Sequence, residues 1–198
     1  QSKRNGYHVL KPDLFSKLPS SQISYWLSKA VLHCFMYPQL NCFLSSGGRI
    51  KTHDNESFMR CSWEINNRQV TNYLFVENGG KYRKWRGGII DVIKWDEESK
   101  EYYAKHSGLM KESYIKKNGI TWPGMSKGAY RIKQQATGHT SSSPCLYPNS
   151  DISADIVLYL LGLLNSNISN VFLDAINPTL TKNPGDVSSI PIKISESF

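Results

Sequence analysis

Ten residues constrain this chain most: Gly79-Gly-Lys-Tyr-Arg-Lys-Trp-Arg-Gly-Gly88, in which two glycine pairs enclose four cations and two aromatic rings with no acid between them. Glycine lifts the steric limit on φ, so each pair lets the backbone turn sharply or approach a partner closely. Tyr73-Leu-Phe-Val76 before the segment and Ile89-Ile-Asp-Val-Ile-Lys-Trp95 after it have the β-branched and aromatic content of strands. The expectation is two neighbouring strands that present the basic segment as a loop. Such a loop can lay cations along phosphates and a flat ring against a base or sugar. The plainer alternative is a cationic hairpin tip facing solvent.

Charge is distributed unevenly around this loop. The 198 residues carry 24 Lys and Arg against 16 Asp and Glu, a formal +8. Residues 1–135 hold 22 basic and 11 acidic groups (net +11), and residues 136–198 hold 2 and 5 (net −3). This fits a first part that meets a polyanion and a last part with another task. A hydrophobic content of 39% argues for a packed domain rather than disorder. Cys34, Cys42, Cys61 and Cys145 have no C-x2-C spacing and no histidines at ligand spacing, so no metal site is expected. They read as reduced thiols of a cytoplasmic protein. The polar N-terminus offers no apolar signal core, and Ile156–Leu164 falls far short of the about 20 residues that span a bilayer, so no membrane partner is expected. The start at Gln1 suggests a piece of something longer.

Along the chain, residues 1–19 read as a connector. Ser20 and Ser21 open an amphipathic helix over about 21–37, with Trp26, Leu27, Val31 and Phe35 on one stripe, Pro38 as its stop and His33 as a structural member. Between Ser45 and Arg60, the residues Arg49, Lys51, Thr52, Asp54, Asn55 and Arg60 are of kinds that contact phosphates and base edges. Met59, Cys61, Trp63 and Ile65 alternate like a strand, although Phe58, Cys61 and Ile65 also fit a helical face. His53-Asp54 makes a poor catalytic pair, because adjacent strand residues face opposite ways. Asp96–Glu101 reads as an acidic turn. With Asp91 it imitates a nuclease acid–lysine set, but it lacks the rigid apolar strand that such chemistry needs.

Basic character returns in Lys127, Arg131 and Lys133. Alternation in Tyr130-Arg-Ile-Lys-Gln-Gln135 puts Arg131, Lys133 and Gln135 on one strand face, read as outward, with Gln134 and Gln135 available to a base edge. Trp122 ends a short strand, Ile120-Thr-Trp-Pro123, and His139 falls in a loop taken to be solvent-exposed. Asn149-Ser-Asp151 is expected to cap a helix through Leu164, and a second helix follows Asn165-Ser-Asn167; residues 151–176 read as a helical support. The fold expected is α+β: a mixed, mostly antiparallel sheet between about 57 and 135, an N-terminal helix and a helical C-terminal element.

These residues assign Arg49, Lys51, Arg60, Lys81, Arg83, Lys84, Arg86, Lys127, Arg131 and Lys133 to a nucleic-acid backbone. Thr52, Asp54, Asn55, Trp85, Trp122, Gln134 and Gln135 are assigned to bases. Three readings stay open on the residues alone: a reader of duplex DNA, a single-stranded nucleic-acid or RNA module, and a protein-interaction domain with an incidental basic face.

Seven stretches in order, from about residue 20 to 192, resemble the C-terminal target-recognition domain of adenine-specific DNA methyltransferases of the phage-defence (BREX) and fused type II restriction-modification kinds. They are Ile23-Ser-Tyr-Trp-Leu-Ser28, Thr52-His-Asp-Asn-Glu-Ser-Phe-Met-Arg60, Gly79-Gly-Lys-Tyr-Arg-Lys-Trp85, Gly119-Ile-Thr-Trp122, Leu160-Leu-Gly-Leu-Leu-Asn-Ser166, Asn177-Pro-Thr-Leu180 and Gly185-Asp-Val-Ser-Ser-Ile-Pro191. The family's second motif usually reads Thr-Gly-Asp-Asn, and His53 stands here in place of the glycine. Its central loop usually continues Lys-Trp-Tyr-Gly-Asn, where this chain has Arg86-Gly-Gly-Ile after the tryptophan. The resemblance implies a recognition domain over 20–192, with a tail at 193–198. It further implies that the domain reads double-stranded DNA and directs a catalytic methyltransferase domain of the same parent chain, which uses S-adenosylmethionine. The chain itself lacks an Asn-Pro-Pro-Tyr motif and a glycine-rich cofactor loop, since Asn177-Pro-Thr-Leu180 has neither the second proline nor the stacking aromatic. It is therefore expected to have no catalytic residues and not to methylate alone.

Overall fold

The computed structural model describes residues 26–125 and 128–194, together with Ser16, Leu18, Pro19 and Ser24. The connector 1–19 and the 193–198 tail thus lie largely outside the described residues, as does Lys127. The fold is α+β and contains two four-stranded sheets. The first is fully antiparallel in the order β1 (Leu44–Ser46), β8 (Cys145–Pro148), β5 (Gly119–Thr121), β6 (Arg131–Lys133). The second is mixed: β2 (Met59–Cys61), β4 (Asp91–Lys94) and β3 (Tyr73–Glu77) pair antiparallel, and β7 (Thr137–His139) runs parallel to β3. Strands therefore begin earlier and end later than the 57–135 span expected from the sequence, because three-residue strands such as β1 and β7 are too short to show a period.

Side-chain alternation divides the interior into two cores. On the first sheet Leu44, Ile120 and Leu146 face a cluster built with α1 (Lys29–Cys34), α5 (Ala154–Leu164), α6 (Asn167–Ile176) and α7 (Pro184–Ser188). Cys145 and Tyr147, on the opposite face of β8, join Leu74, Val76 and Ile93 of the second sheet. Tyr103 of α3 (Glu97–Lys105) and Ile115 of α4 (Glu112–Ile115) complete that second core. The first sheet is thus the middle layer, with helices on one side and the second sheet on the other.

This layering reverses the expectation for β6. Register pairs Ile132 with Ile120, so Ile132 packs toward the helices while Arg131 and Lys133 point into the space between the sheets. Arg131 is 2% exposed and Lys133 0%. Buried charge is tolerated only when it is paired and hydrogen-bonded. The Arg131 Nε and Nη2 donate to Glu77 Oε2 at 2.9 and 2.7 Å, and Nη2 also donates to the Gly79 carbonyl at 2.9 Å. The Lys133 ammonium donates to the carbonyls of Tyr114, Ile115 and Lys117 at 2.8, 3.0 and 2.9 Å, which satisfies the C-terminal end of α4. Burial pulls the Lys133 pKa down to about 8.

Other elements also depart from the sequence reading. Helix α1 is short; Trp26 and Leu27 precede it, and Ser28 caps it by accepting from the Val31 N–H at 3.3 Å. The expected acidic turn is α3, whose N-cap Asp96 accepts from the Ser99 N–H at 2.9 Å, with Glu97 and Glu98 in the first turn where the helix dipole favours anions. Glu98 and Lys100 therefore ride on a helix rather than a strand, and Lys100 pairs with Glu97. The cap of α5 is Ser153, not the Asn149–Asp151 run. Among the described residues no single helix is long and apolar enough to cross a membrane.

Because removing one partner of a buried pair strands the other charge, Arg131→Met should lower the unfolding free energy in urea by about 3–5 kcal/mol. The double variant Glu77→Leu, Arg131→Met should recover much of that loss.

Candidate nucleic-acid interface

The loop of residues 78–90 joins β3 to β4, the antiparallel neighbours expected from the sequence. Gly79, Gly80, Gly87 and Gly88 all hold positive φ (71, 94, 88 and 88°), which explains why glycine occupies both ends. Gly79 is clamped on both sides, its N–H donating to Ser143 Oγ at 2.8 Å and its carbonyl accepting from Arg131. At the far tip the Trp85 N–H donates to the Tyr130 carbonyl at 3.0 Å, and the Ile132 N–H donates to the Trp85 carbonyl at 2.9 Å. The loop is thereby laid along the free edge of β6. Trp85 has a φ of 75° and the Arg86 N–H reaches back to the Lys84 carbonyl at 3.0 Å, a strained γ-turn of the kind that persists only where surrounding contacts enforce it.

That backbone presents side chains outward. Tyr82 is 62% and Trp85 54% exposed, and Lys81, Arg83 and Arg86 are exposed with no ion-pair or hydrogen-bond partner among the described residues. Lys84 differs: its ammonium donates to the Asn165 carbonyl at 3.0 Å and lies 5.9 Å from the Tyr82 ring. Beneath the loop is a cavity of about 290 Å³ whose walls include Asn78, Lys81, Arg83, Ile90, Asp91 and Arg131.

The remaining assigned residues separate into groups. Arg49 and Lys51 are exposed, and Arg49 borders a second cavity beside His139. Arg60 is half-buried and spends its guanidinium on the carbonyls of Glu56 and Met59. Thr52, expected at bases, is buried and bonded to the Asn55 side chain, and Asp54 caps α2 (Asn55–Phe58) by accepting from the Ser57 N–H at 3.1 Å. The Ser57 hydroxyl and, after it, the Ser57 N–H hold the Asp54 carboxyl below its usual value. His53, between them, has a φ of 59°, so the glycine of the resembled motif matches a left-handed position. Trp122 is fully buried and its Nε1 donates to the Lys182 carbonyl at 3.0 Å, so it packs the interior and offers no ring to a base. Gln134 is half-buried, while Gln135 is exposed beside Lys116 and Lys117 at a third cavity.

Sequence reasoning missed three residues that hold the loop. Glu77, a lone acid before the glycine pair, anchors Arg131. Ser143 holds the Gly79 N–H. Asn165 bonds both the N–H and the carbonyl of Tyr130, at 3.1 and 2.9 Å, and so fixes the strand that Trp85 grips. The Asn-Ser end of Leu160–Ser166 was the available signal for the last. His139 also corrects an expectation: it is buried, with Nε2 unpartnered, because β7, though the end strand of its sheet, is covered along its length and sets His139 against the Tyr147 ring. Among the described residues no group of three or more His, Cys, Asp or Glu could hold a metal ion, and all four cysteines are free thiols.

The fold thus presents an ordered, basic and aromatic loop at the edge of its first sheet. Among known proteins, the chain is 29% identical over 212 aligned positions to the adenine-specific methyltransferase PglX of Lacticaseibacillus casei (strain Zhang), covering 95% of this chain and 17% of the relative. It is 24% identical over 191 positions to the adenine-specific methyltransferase BrxX of Escherichia coli O9:H4 (strain HS), covering 90% of this chain and 15% of the relative. No family model matches. The chain is therefore similar to a segment of adenine-specific methyltransferases and spans about a sixth of their length.

Burial lowers the His139 pKa from 6.5 to about 4. Between those values the unfolded chain binds a proton that the folded chain refuses, so stability present above pH 6.5 is lost as pH falls toward 4, by up to about 3 kcal/mol. Urea midpoints measured across this window should show the loss, and His139→Leu should flatten that part of the profile.

Proposed function

We propose that this chain is a DNA target-recognition unit that binds duplex DNA and directs a linked adenine-specific methyltransferase to its site, in a phage-defence or restriction-modification setting. The observation that carries the proposal is the loop of residues 78–90. Three unpaired cations and two exposed rings stand on a backbone pinned at Gly79 and Trp85. Unneutralised cations on a rigid support are what phosphate contact requires, because their attraction is not already spent inside the protein. The similarity to adenine-specific methyltransferases supports the choice of DNA as substrate.

In this reading Lys81, Arg83 and Arg86 contact phosphates, and Arg49 and Lys51 extend the positive surface. Lys84, Arg131 and Lys133 shape the loop and its platform from within. Trp85 is the residue of the loop best placed to meet bases, with Gln135 a second exposed reader. The recognition unit spans residues 20–192 and contributes no catalytic group. Methyl transfer, and the S-adenosylmethionine it consumes, belong to the linked catalytic domain of the parent chain.

Each lost phosphate contact reduces the salt dependence of binding by about 0.9 in log K against log salt. The triple variant Lys81→Ala, Arg83→Ala, Arg86→Ala should therefore flatten that slope by about 2.7 and weaken all duplexes alike. Titration by fluorescence anisotropy across a salt series reads both effects. Wild-type-like affinity and slope would remove the loop from the interface, and tighter binding to single strands than to duplex would favour the stacking mode of a single-strand module.

A further inference from the structure

The cavity beneath the loop has a composition that phosphate contact does not explain. Its volume, about 290 Å³, is at the lower bound for small-molecule sites. Val76, Ile90 and glycine backbone give it apolar walls, while its charged groups are of both signs. The half-buried Asp91 carboxylate faces the same space as Lys81, Arg83 and Arg131. Yet it makes no ion pair with any of them, which places these charges more than 4.0 Å apart. A carboxylate and unpaired cations held apart on the lining of one partly apolar cavity would repel a phosphate from part of it. The same arrangement matches a planar heterocycle with complementary edges.

We propose that this cavity receives a single guanine base that is unpaired or turned out of the duplex. Guanine presents O6 and N7 to a guanidinium, the commonest arginine contact to a base. Its N1–H and N2 amino group, on the neighbouring edge, suit a carboxylate. Arg83, turned from the phosphate it meets on a fully paired duplex, and Asp91 supply those two partners, and Val76 and Ile90 the apolar walls. Adenine lacks O6 and would turn its N6 amino group toward the cation, and a pyrimidine has no N7 beside its exocyclic group to complete the bidentate contact. Proteins that take a base from the stack bind it most readily where pairing is already lost. Tyr82 and Trp85, exposed in the same loop, can cover the bases left beside the gap.

The inference rests on the reading of the chain as a DNA binder, and one binding experiment separates the two. The 198-residue chain is titrated by anisotropy against a fully paired duplex and against the same duplex with a single bulged G, A, C or T. The bulged G should bind about tenfold tighter than the other bulges. Asp91→Asn should erase that advantage and leave the paired duplex unchanged. Ile90→Trp, which fills the cavity, should erase it by a different route, with circular dichroism confirming that both variants fold. If the paired duplex binds but bulged G gains nothing over the other bulges, or keeps its gain in both variants, the pocket assignment is overturned. If no duplex of any kind binds, the DNA-binding reading falls and the pocket assignment falls with it.

Discussion

The buried contact between Glu77 and Arg131 is the interaction on which the rest of this structure depends. Glu77 ends a strand of one sheet, Arg131 begins a strand of the other, and the same guanidinium holds the Gly79 carbonyl at the root of the loop. Burial pushes the Glu77 carboxyl upward while the guanidinium beside it pulls back. Such a pair stabilises less than its short distances suggest, since desolvation offsets much of the attraction. What it provides is geometry: a planar guanidinium directs two N–H donors at the Glu77 carboxylate and holds the Gly79 carbonyl with the same fixed fork, an orientation that a rotating ammonium does not impose.

Lys133, two residues on, extends the same logic. It fills the inter-sheet layer next to Tyr147 and terminates α4, so two cations that look like a surface footprint act as internal fasteners. The exposed cations beside β6, Lys81, Arg83 and Arg86, therefore stand in the loop rather than on a β face. A concentrated patch is also easier to aim, because the loop's position is set by contacts to Tyr130, Ile132 and Ser143 rather than by its own composition.

The sequence made the class of fold legible, along with the β3–loop–β4 arrangement, the two C-terminal helices and the role of the glycine pairs. These rest on local signals: β-branched runs, apolar helical stripes and residues that tolerate positive φ. It misdirected the reading of Trp122, Thr52 and His139, whose burial no local signal announces, and of Arg131 and Lys133 for one shared physical reason. Polar residues in strands read as outward-facing, yet here a middle sheet has no solvent face, and long-range partners such as Glu77 and the carbonyls of α4 satisfy them. Nothing within a few residues of Arg131 announces an acid 54 positions away. In the loop itself, composition showed which residues were charged but not which charges were already committed, as Lys84 is to Asn165.

The backbone bridge between Trp85 and β6 has a further consequence. β6 closes one side of its sheet, and an open strand edge is a template for pairing with another chain. The basic loop shields that edge, so the same segment guards the protein against self-association. A loop exchanged to change what is bound must keep a residue able to adopt the Trp85 backbone conformation, or the exchange uncovers an adhesive edge. Diversification of this loop is thus tied to colloidal stability, and loops that lose the bridge should disappear through aggregation.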